Sequence, residues 1–281
     1  MSSDLRLIVN ADDFGMTEAV NQGIVEAHDR GIVTSASIMA TGSAFEHAVA
    51  LAKTRPGLAV GVHLTLTEQR PLIGTAAAPS LVGRDGRFPR HLVQFAKPYL
   101  RGKVALVEVR AELDAQIRKV RDAGIAVSHL DGHQHVHVLP GIAAIVADLA
   151  ASHGIGAVRY PAERVSAYML RNLQNARRLT EQLVLGVVCA LSPLKALRRS
   201  DSFVGFYFGG RLDEANLATV LGRLPARGTV ELMCHPGGDE ERATEGYWRY
   251  SWAAERAALT SPRIRAVLTA RGAQLVSYRD V

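Results

Sequence analysis

The sequence contains only two cysteines, Cys189 and Cys234, among 281 residues. So few cysteines exclude a disulfide framework and a cysteine-based zinc site. No apolar run approaches the roughly 18 residues that a membrane-spanning helix needs. The first six residues also lack the basic region and the apolar core of a signal peptide. We therefore expect a cytoplasmic protein.

The net positive charge of the chain comes from one segment. The formal net charge is +6, and the range 164–200 alone carries seven Lys/Arg against the single acid Glu181, which is also +6. The remaining residues therefore sum to about zero. This segment lacks the interleaved aromatic residues of a base-stacking surface, so we do not expect nucleic-acid binding.

Short apolar strands alternate with stretches of helical periodicity along the chain, which is typical of βα units and a parallel sheet. The predicted strands are 5–10, 33–40, 58–66, 125–130, 155–159, 229–233 and 274–277. The predicted helices are 17–30, 44–53, 107–123, 141–153, 214–224 and 253–270. About seven parallel strands with helices between them predict an α/β fold, a closed or nearly closed barrel in one domain over residues 1–281.

Four polar clusters fall at or near the carboxyl ends of predicted strands, where such folds place their chemistry. They are Asp12-Asp13, His63, the run Asp131-Gly132-His133-Gln134-His135-Val136-His137, and His235-Pro236-Gly237-Gly238. One carboxylate and two neutral imidazoles hold a divalent metal while leaving positions open for water and substrate. Of the two adjacent aspartates, one then binds the metal and the other accepts a proton from water.

Each cluster also has a plainer structural interpretation. The paired aspartates could form a turn or cap the next helix, although Thr17 is better placed as the cap. His63 could be a core histidine, and His235 could belong to a turn rather than act as a general acid. In an extended conformation His133, His135 and His137 would share one face, and could supply a ligand and a residue that supports it.

Several motifs, in order along almost the whole chain, resemble those of the YdjC-like carbohydrate deacetylases, the family that includes the chitooligosaccharide deacetylases. They are the range 10–15 (NADDFG), 31–35 (GIVTS), the His63 strand, the histidine run, 233–236 (MCHP) and the closing 277–281 (SYRDV). The resemblance implies a distorted (β/α) barrel of the polysaccharide-deacetylase type. It also implies removal of an acetyl group from an N-acetylated sugar.

By matching position, the resemblance implies that Asp13, His63 and His133 bind one divalent metal ion. Zinc and magnesium both suit such a set, so the identity of the metal stays open. Asp12 takes the place of the general base, and His235 that of the histidine that protonates the leaving amine. His135, His137 and Arg159 are expected to contact substrate or to support these groups, with Arg159 a candidate partner of the Asp12 carboxylate.

Within the family, the insertions most resemble the hopanoid-biosynthesis-associated branch, which implies the N-acetylglucosaminyl group of a hopanoid lipid as substrate. One of these insertions is a basic and apolar segment at about 164–202, in which residues 183–191 are apolar throughout and flanked by arginine and lysine. A helix of this kind can lie in the headgroup plane of a membrane. The alternative is a helix that packs on the barrel or in a homodimer interface.

Three functions remain compatible with the sequence. The first is deacetylation of an N-acetylglucosamine-containing glycan or glycolipid, with chitooligosaccharides such as diacetylchitobiose as the second substrate. The second is metal-dependent hydrolysis of a phosphoester. It is disfavoured because the sequence shows no second set of carboxylate ligands for a second metal ion. The third is a sugar- or lipid-binding protein without catalysis.

Overall fold

Eight strands form one sheet in the computed structural model, which describes residues 4–170, 175–238 and 250–281. They are β1 (Leu5–Phe14), β2 (Ser35–Ile38), β3 (Ala59–Leu64), β4 (Val127–Gly132), β5 (Ala157–Val158), β6 (Ser202–Val204), β7 (Gly228–Cys234) and β8 (Gln274–Val276). The sheet order is β5-β4-β3-β2-β1-β7-β6, and β8 pairs with the first half of β1. Every strand pair in these ranges is parallel.

The two edge strands of the sheet approach one another. An isolated parallel bridge joins Ala157 of β5 to Arg198, and a second joins Glu163 to Phe203 of β6. The seven strands of the sheet order, without β8, therefore form a distorted barrel. Within the described residues, isolated bridges join its two edges. The distorted (β/α) barrel expected from the sequence is confirmed.

Ten α-helices are present in the described ranges. They are α1 (Glu18–Asp29), α2 (Phe45–Lys53), α3 (Leu92–Tyr99), α4 (Leu106–Asp122), α5 (Ile142–Ser152), α6 (Ala167–Leu170), α7 (Ala176–Leu191), α8 (Glu214–Leu221), α9 (Trp252–Leu259) and α10 (Pro262–Arg271). No helix in those ranges is long and apolar enough to cross a membrane.

Helix α1 shows how local sequence and core packing agree. Thr17 caps it, with its hydroxyl accepting a hydrogen bond from the backbone N–H of Val20 at 3.1 Å. Val20, Ile24 and Ala27 are fully buried, as the helical spacing predicts. Full burial stabilises by about 1.5–3 kcal/mol for each Val or Ile side chain, which fixes the helix against the sheet.

The structure differs from the sequence-based expectation in four elements. The helix predicted at 253–270 is two helices, because Ser261 caps a new helix that begins at Pro262, whose ring lacks the N–H that a continuous helix needs. Strand β6 and helices α3 and α6 were not predicted. Strand β6 is only three residues long, and α3 lies inside a connection rich in Gly and Pro. Arg171 of the basic segment lies outside the described residues.

Candidate active site

The end of β1 places two adjacent carboxylates in one site. Successive side chains on a regular strand point to opposite faces, but the register between β1 and β2 shifts between Ala11 and Phe14. Asp13 there adopts a left-handed conformation with φ 68°. This bulge redirects the chain, so that Asp12 and Asp13 each take part in a cluster with His63.

Asp13, His63 and His133 form a buried cluster with the composition of a metal site. Asp13 Oδ1 lies 3.4 Å from His63 Nε2 and 3.0 Å from His133 Nδ1. One ligand atom from each residue lies within 4.8 Å of the others. The three residues that the resemblance implies as ligands are therefore brought together.

The electrostatics of this cluster suit a divalent cation. Burial alone would lower the pKa of both histidines, but Asp131 and Asp13 raise the pKa of His63 to about 9, and Asp13 and Glu68 raise that of His133 to about 10. Burial raises the pKa of Asp13, yet the two imidazoles hold it well below its usual range. Two protons therefore collect around one carboxylate, and a divalent cation can replace them with no change in total charge.

Asp131 supports His63 and was not predicted as a site residue. Its Oδ1 lies 2.8 Å from His63 Nδ1, and its Oδ2 accepts a hydrogen bond from Ser37 Oγ at 2.6 Å. Arg159 and His63 hold the pKa of the buried Asp131 carboxyl well below its usual range, against the desolvation that raises it. The available signal was its position at the end of β4, two residues before His133.

Arg159 joins three carboxylates at the centre of the barrel. Its guanidinium is fully buried and donates to both oxygens of Asp12 at 2.6 Å and to Glu231 Oε1 at 2.7 Å. It also forms an ion pair with Asp131 Oδ2 at 2.8 Å. The expected pairing of Arg159 with Asp12 is thus present. Asn10 Nδ2 adds a third hydrogen bond to Asp12, at 2.9 Å. Asp12 is held in one orientation as a result.

Glu231 and Tyr278 lie beyond Arg159 and were not predicted. The Tyr278 hydroxyl donates to Glu231 Oε2. Burial raises the pKa of Glu231 to about 7, although Arg159 opposes the shift. One guanidinium thus faces three carboxyl groups. The available signal for Glu231 was its charge inside an otherwise apolar strand.

The histidine run is not extended, so the expectation that His133, His135 and His137 share one face is wrong. Residues 133–138 form a 3₁₀ turn in which Gln134 and His135 have left-handed φ values of 53° and 57°. The fully buried ring of His137 makes a hydrogen bond through Nε2 to the Arg159 carbonyl at 3.1 Å, and so supports the backbone of that arginine. The His135 ring lies against Phe203 and Phe206, with centroids 6.0 and 5.5 Å apart.

His235 lies on the strand next to Asp12. Ala11 pairs with Cys234, so Asp12 and His235 each stand one residue beyond paired positions. The His235 ring is buried against Tyr250, with centroids 4.7 Å apart, and its Nδ1 lies 3.9 Å from Glu255 Oε2. Glu255, also not predicted, accepts the His235 backbone N–H at 2.6 Å, and burial raises its pKa.

The glycines after His235 have a packing reason. A Cβ on Gly23 of α1 would lie 2.4 Å from Gly237 Cα, so helix and loop approach more closely than side chains permit. The loop therefore folds against α1, and His235 is placed beside the carboxylates of β1.

The fold and this site together define a barrel protein with a buried, metal-type ligand set beside a carboxylate and a further histidine. A family model described as YdjC-like protein matches residues 6–270. The chain belongs to this family, as the motif resemblance implied.

Two proteins similar to this chain are named as deacetylases. A carbohydrate deacetylase of Mus musculus is 37% identical over 297 residues, covering 99% of this chain and 95% of that protein. A chitooligosaccharide deacetylase of Enterobacter sp. (strain 638) is 34% identical over 281 residues, covering 99% and 100%. The expected enzyme class, a hydrolase of amide bonds, is thereby confirmed.

One solved structure supports the fold over the full length. A crystal structure from Enterococcus faecalis V583, whose given name refers to cellobiose-phosphate cleavage, superposes with a TM-score of 0.78 at 29% identity. It covers 99% of both chains. The barrel topology is therefore shared from end to end.

Proposed function

We propose that the protein is a metal-dependent deacetylase of an N-acetylglucosamine-containing glycan. The observation that carries the proposal is the cluster of Asp13, His63 and His133 beside Asp12 and His235, all at the carboxyl ends of neighbouring strands. The names of the relatives, carbohydrate deacetylase and chitooligosaccharide deacetylase, support the same reaction class.

Asp13 Oδ1, His63 Nε2 and His133 Nδ1 are the atoms that would hold the cation. One carboxylate and two imidazoles suit zinc and also accept magnesium. A divalent cation bound there polarises a carbonyl oxygen and makes a water molecule more acidic. Asp131 orients His63 through Nδ1, so Nε2 is the nitrogen left to bind.

Asp12 is the group that accepts a proton from the attacking water. A carboxylate offers about four acceptor positions, and three are taken by Arg159 and Asn10. The remaining position is open to a water proton. Because Arg159 fixes both oxygens, Asp12 needs no reorganisation to receive it.

His235 is the group that donates a proton to the leaving nitrogen. A bond forms from the water oxygen to the acetyl carbon, and the bond from that carbon to the sugar nitrogen breaks. The proton from water goes to Asp12, and the proton from His235 goes to the nitrogen, which gives acetate and a free amine. The tilted ring of Tyr250, in contact with the imidazole, and the carboxyl group of Glu255 hold His235 in place.

For the substrate we favour the N-acetylglucosaminyl group of a hopanoid lipid, with chitooligosaccharides as the second candidate. The first candidate is supported by the surface of α7. Four of its large apolar side chains are exposed by 54 to 75%: Leu183, Val184, Val187 and Leu191. The name of the Enterobacter relative favours the second candidate.

The opposite face of α7 lies against the site. Arg178 sits 5.4 Å from the ring centroid of Phe206, and that ring contacts His135. Gln182 is buried and donates to the carbonyl of Glu163 at 3.1 Å. The helix therefore connects the wall of the site to an exposed apolar surface.

We assign this outer face to an anionic lipid surface at the cytoplasmic side of a membrane. Basic side chains flank the exposed apolar residues, with Arg177 before them and Lys195 and Arg198 after them. Each basic residue near an anionic bilayer contributes about 1 kcal/mol to binding. This charge complementarity favours lipid over a second copy of the chain, which would bring like charges together.

The substrate test compares acetate release by the metal-loaded protein from N-acetylglucosaminyl hopanoid in liposomes and from diacetylchitobiose. We expect release from the hopanoid to dominate, and the Asp12→Asn variant to release acetate from neither. Release from diacetylchitobiose alone would support the deacetylation reaction but contradict the hopanoid as substrate. Release from neither by the metal-loaded wild type would overturn the proposed function.

A further inference from the structure

The two candidate metal-binding imidazoles have different partners on their outer nitrogens. His63 turns Nε2 towards Asp13 and Nδ1 towards Asp131 at 2.8 Å. His133 is reversed, with Nδ1 towards Asp13 and Nε2 lying 3.7 Å from Glu68 Oε2. Each imidazole thus lies between Asp13 and a second carboxylate.

The position of the proton on His133 follows from this arrangement. An imidazole binds a cation through a lone pair, so its proton must sit on the other nitrogen. For His133 that nitrogen is Nε2, which faces Glu68. Carboxylates on the outer N–H of metal-binding histidines fix the tautomer and the ring orientation, and raise the basicity of the ligand.

Glu68 is held in place independently of the histidine. Its backbone has a left-handed φ of 66°, which is strained for a residue with a side chain. Its N–H donates to the Pro89 carbonyl at 2.9 Å, and its Oε1 accepts from Gln134 Nε2 at 3.1 Å. The side chain, only 18% exposed, therefore stays beside the turn that carries His133.

We propose that Glu68 is a positioning residue for the metal centre, one that orients His133 as Asp131 orients His63. This inference rests on the metal site of the proposed function, but not on its substrate or reaction. Glu68 belongs to the long connection after β3, so this loop would contribute to metal affinity as well as to the rim of the site.

The test measures metal affinity rather than turnover. Zn²⁺ and Co²⁺ are titrated into the metal-free wild type, Glu68→Gln and Glu68→Ala in competition with a chromophoric chelator, and the visible spectrum of the Co²⁺ protein is recorded. We expect both variants to bind about 10–100-fold more weakly and to show a shifted Co²⁺ spectrum. Thermal unfolding of the metal-free proteins should be unchanged.

Glu108→Gln is the matched control. Glu108 also binds this connection, accepting from the backbone N–H and the hydroxyl of Ser80, both at 2.8 Å. Within the part of the chain that the structure describes, it contacts no imidazole. Its metal affinity and Co²⁺ spectrum should equal those of the wild type. An equal loss in this variant would mean that Glu68 acts only by holding the loop, which contradicts the proposal.

Unchanged affinity and an unchanged spectrum in folded Glu68→Ala would overturn the proposal, and so would a wild type that binds neither ion. Acetate release is scored separately. If Glu68 variants lose metal affinity as expected but the loaded wild type releases no acetate, the proposed function fails while the assignment of Glu68 stands.

Discussion

The charged side chains at the centre of the barrel are buried, whereas those on the outer face of α7 are exposed to solvent. At the centre, Arg159 is fully buried and paired with Asp12, Asp131 and Glu231 at 2.6 to 2.8 Å. On α7, Arg177 is 78% exposed and pairs with Glu181 one helical turn away. The same kind of ion pair is therefore part of a fixed network in one region and a solvated surface feature in the other.

This difference separates what each region can do. A buried charge must be matched by partners in a fixed geometry, which suits groups that handle protons and bind a cation. An exposed charge costs little to move, which suits contact with a surface of variable composition such as a bilayer. The predictions below test the contrast, beginning with the largest expected effect.

Removal of the proton-accepting carboxylate at the centre of the barrel should have the largest effect on activity. Asp12→Asn should lower kcat by about 10²–10⁴-fold, the usual contribution of general base catalysis. Metal affinity should change far less, because Asp13, His63 and His133 remain. Steady-state kinetics with metal analysis would check both values. A variant with near wild-type kcat would assign the base to another residue.

Replacing the central arginine should destabilise the fold. Arg159→Met leaves buried carboxylates without their partner, and we expect a loss of about 3–5 kcal/mol in the free energy of unfolding. Arg177→Met on α7 is the matched comparison and should change stability by about 0–1 kcal/mol. Urea unfolding of both variants measures the two free energies of unfolding. Equal losses in the two variants would contradict the contrast between buried and exposed charge.

Protonation of a buried carboxyl should make stability depend on pH. Burial raises the pKa of Glu163 to about 7, even though the backbone N–H groups of Tyr207 and Gly205 favour the ionised form. Because the folded state then binds more protons than the unfolded state, this group makes stability fall as pH rises from about 4.5 to about 7.

Urea unfolding across this range, on the wild type and Glu163→Gln, measures that contribution. We expect it to be on the order of 1–3 kcal/mol, and the variant to lack it. An identical pH profile in both proteins would show that Glu163 does not titrate in this range.

The smallest effect on stability is expected on α7. Val187→Ser should change the free energy of unfolding by about 0.5 kcal/mol or less, because the side chain is exposed. Co-sedimentation with phosphatidylserine vesicles should nevertheless fall, while Val93→Ser, exposed on α3, should bind like the wild type. Unaltered sedimentation of Val187→Ser, with loss of a homodimer instead, would make this face an interface between copies.

The sequence predicted the parts of the site that lie at strand ends. Asp12, Asp13, His63, His133 and His235 were found because parallel strands bring their carboxyl ends to one edge, and because these polar residues interrupt apolar patterns. Arg159, at the end of the predicted strand 155–159, contacts Asp12 as expected. Strand β6 was not predicted, since its three residues are too short to give a pattern.

Residues away from the strand ends were not found in this way. Glu231 and Glu255 contact the site from positions whose neighbours carry no motif, and Glu68 enters from a long connection. The shape of the histidine run was mistaken because alternating residues suggest a strand, whereas left-handed Gln134 and His135 turn the chain at once. Backbone strain of this kind is set by the surrounding structure rather than by local propensity.

The most direct test of the account is a side-by-side measurement of acetate and free amine released by metal-free and metal-restored protein from N-acetylglucosaminyl hopanoid and from diacetylchitobiose. The account predicts no release without metal. With metal restored, acetate and amine should form in equal amounts from at least one substrate. Equal release by the metal-free protein, or none by the fully loaded protein from either substrate, would contradict it.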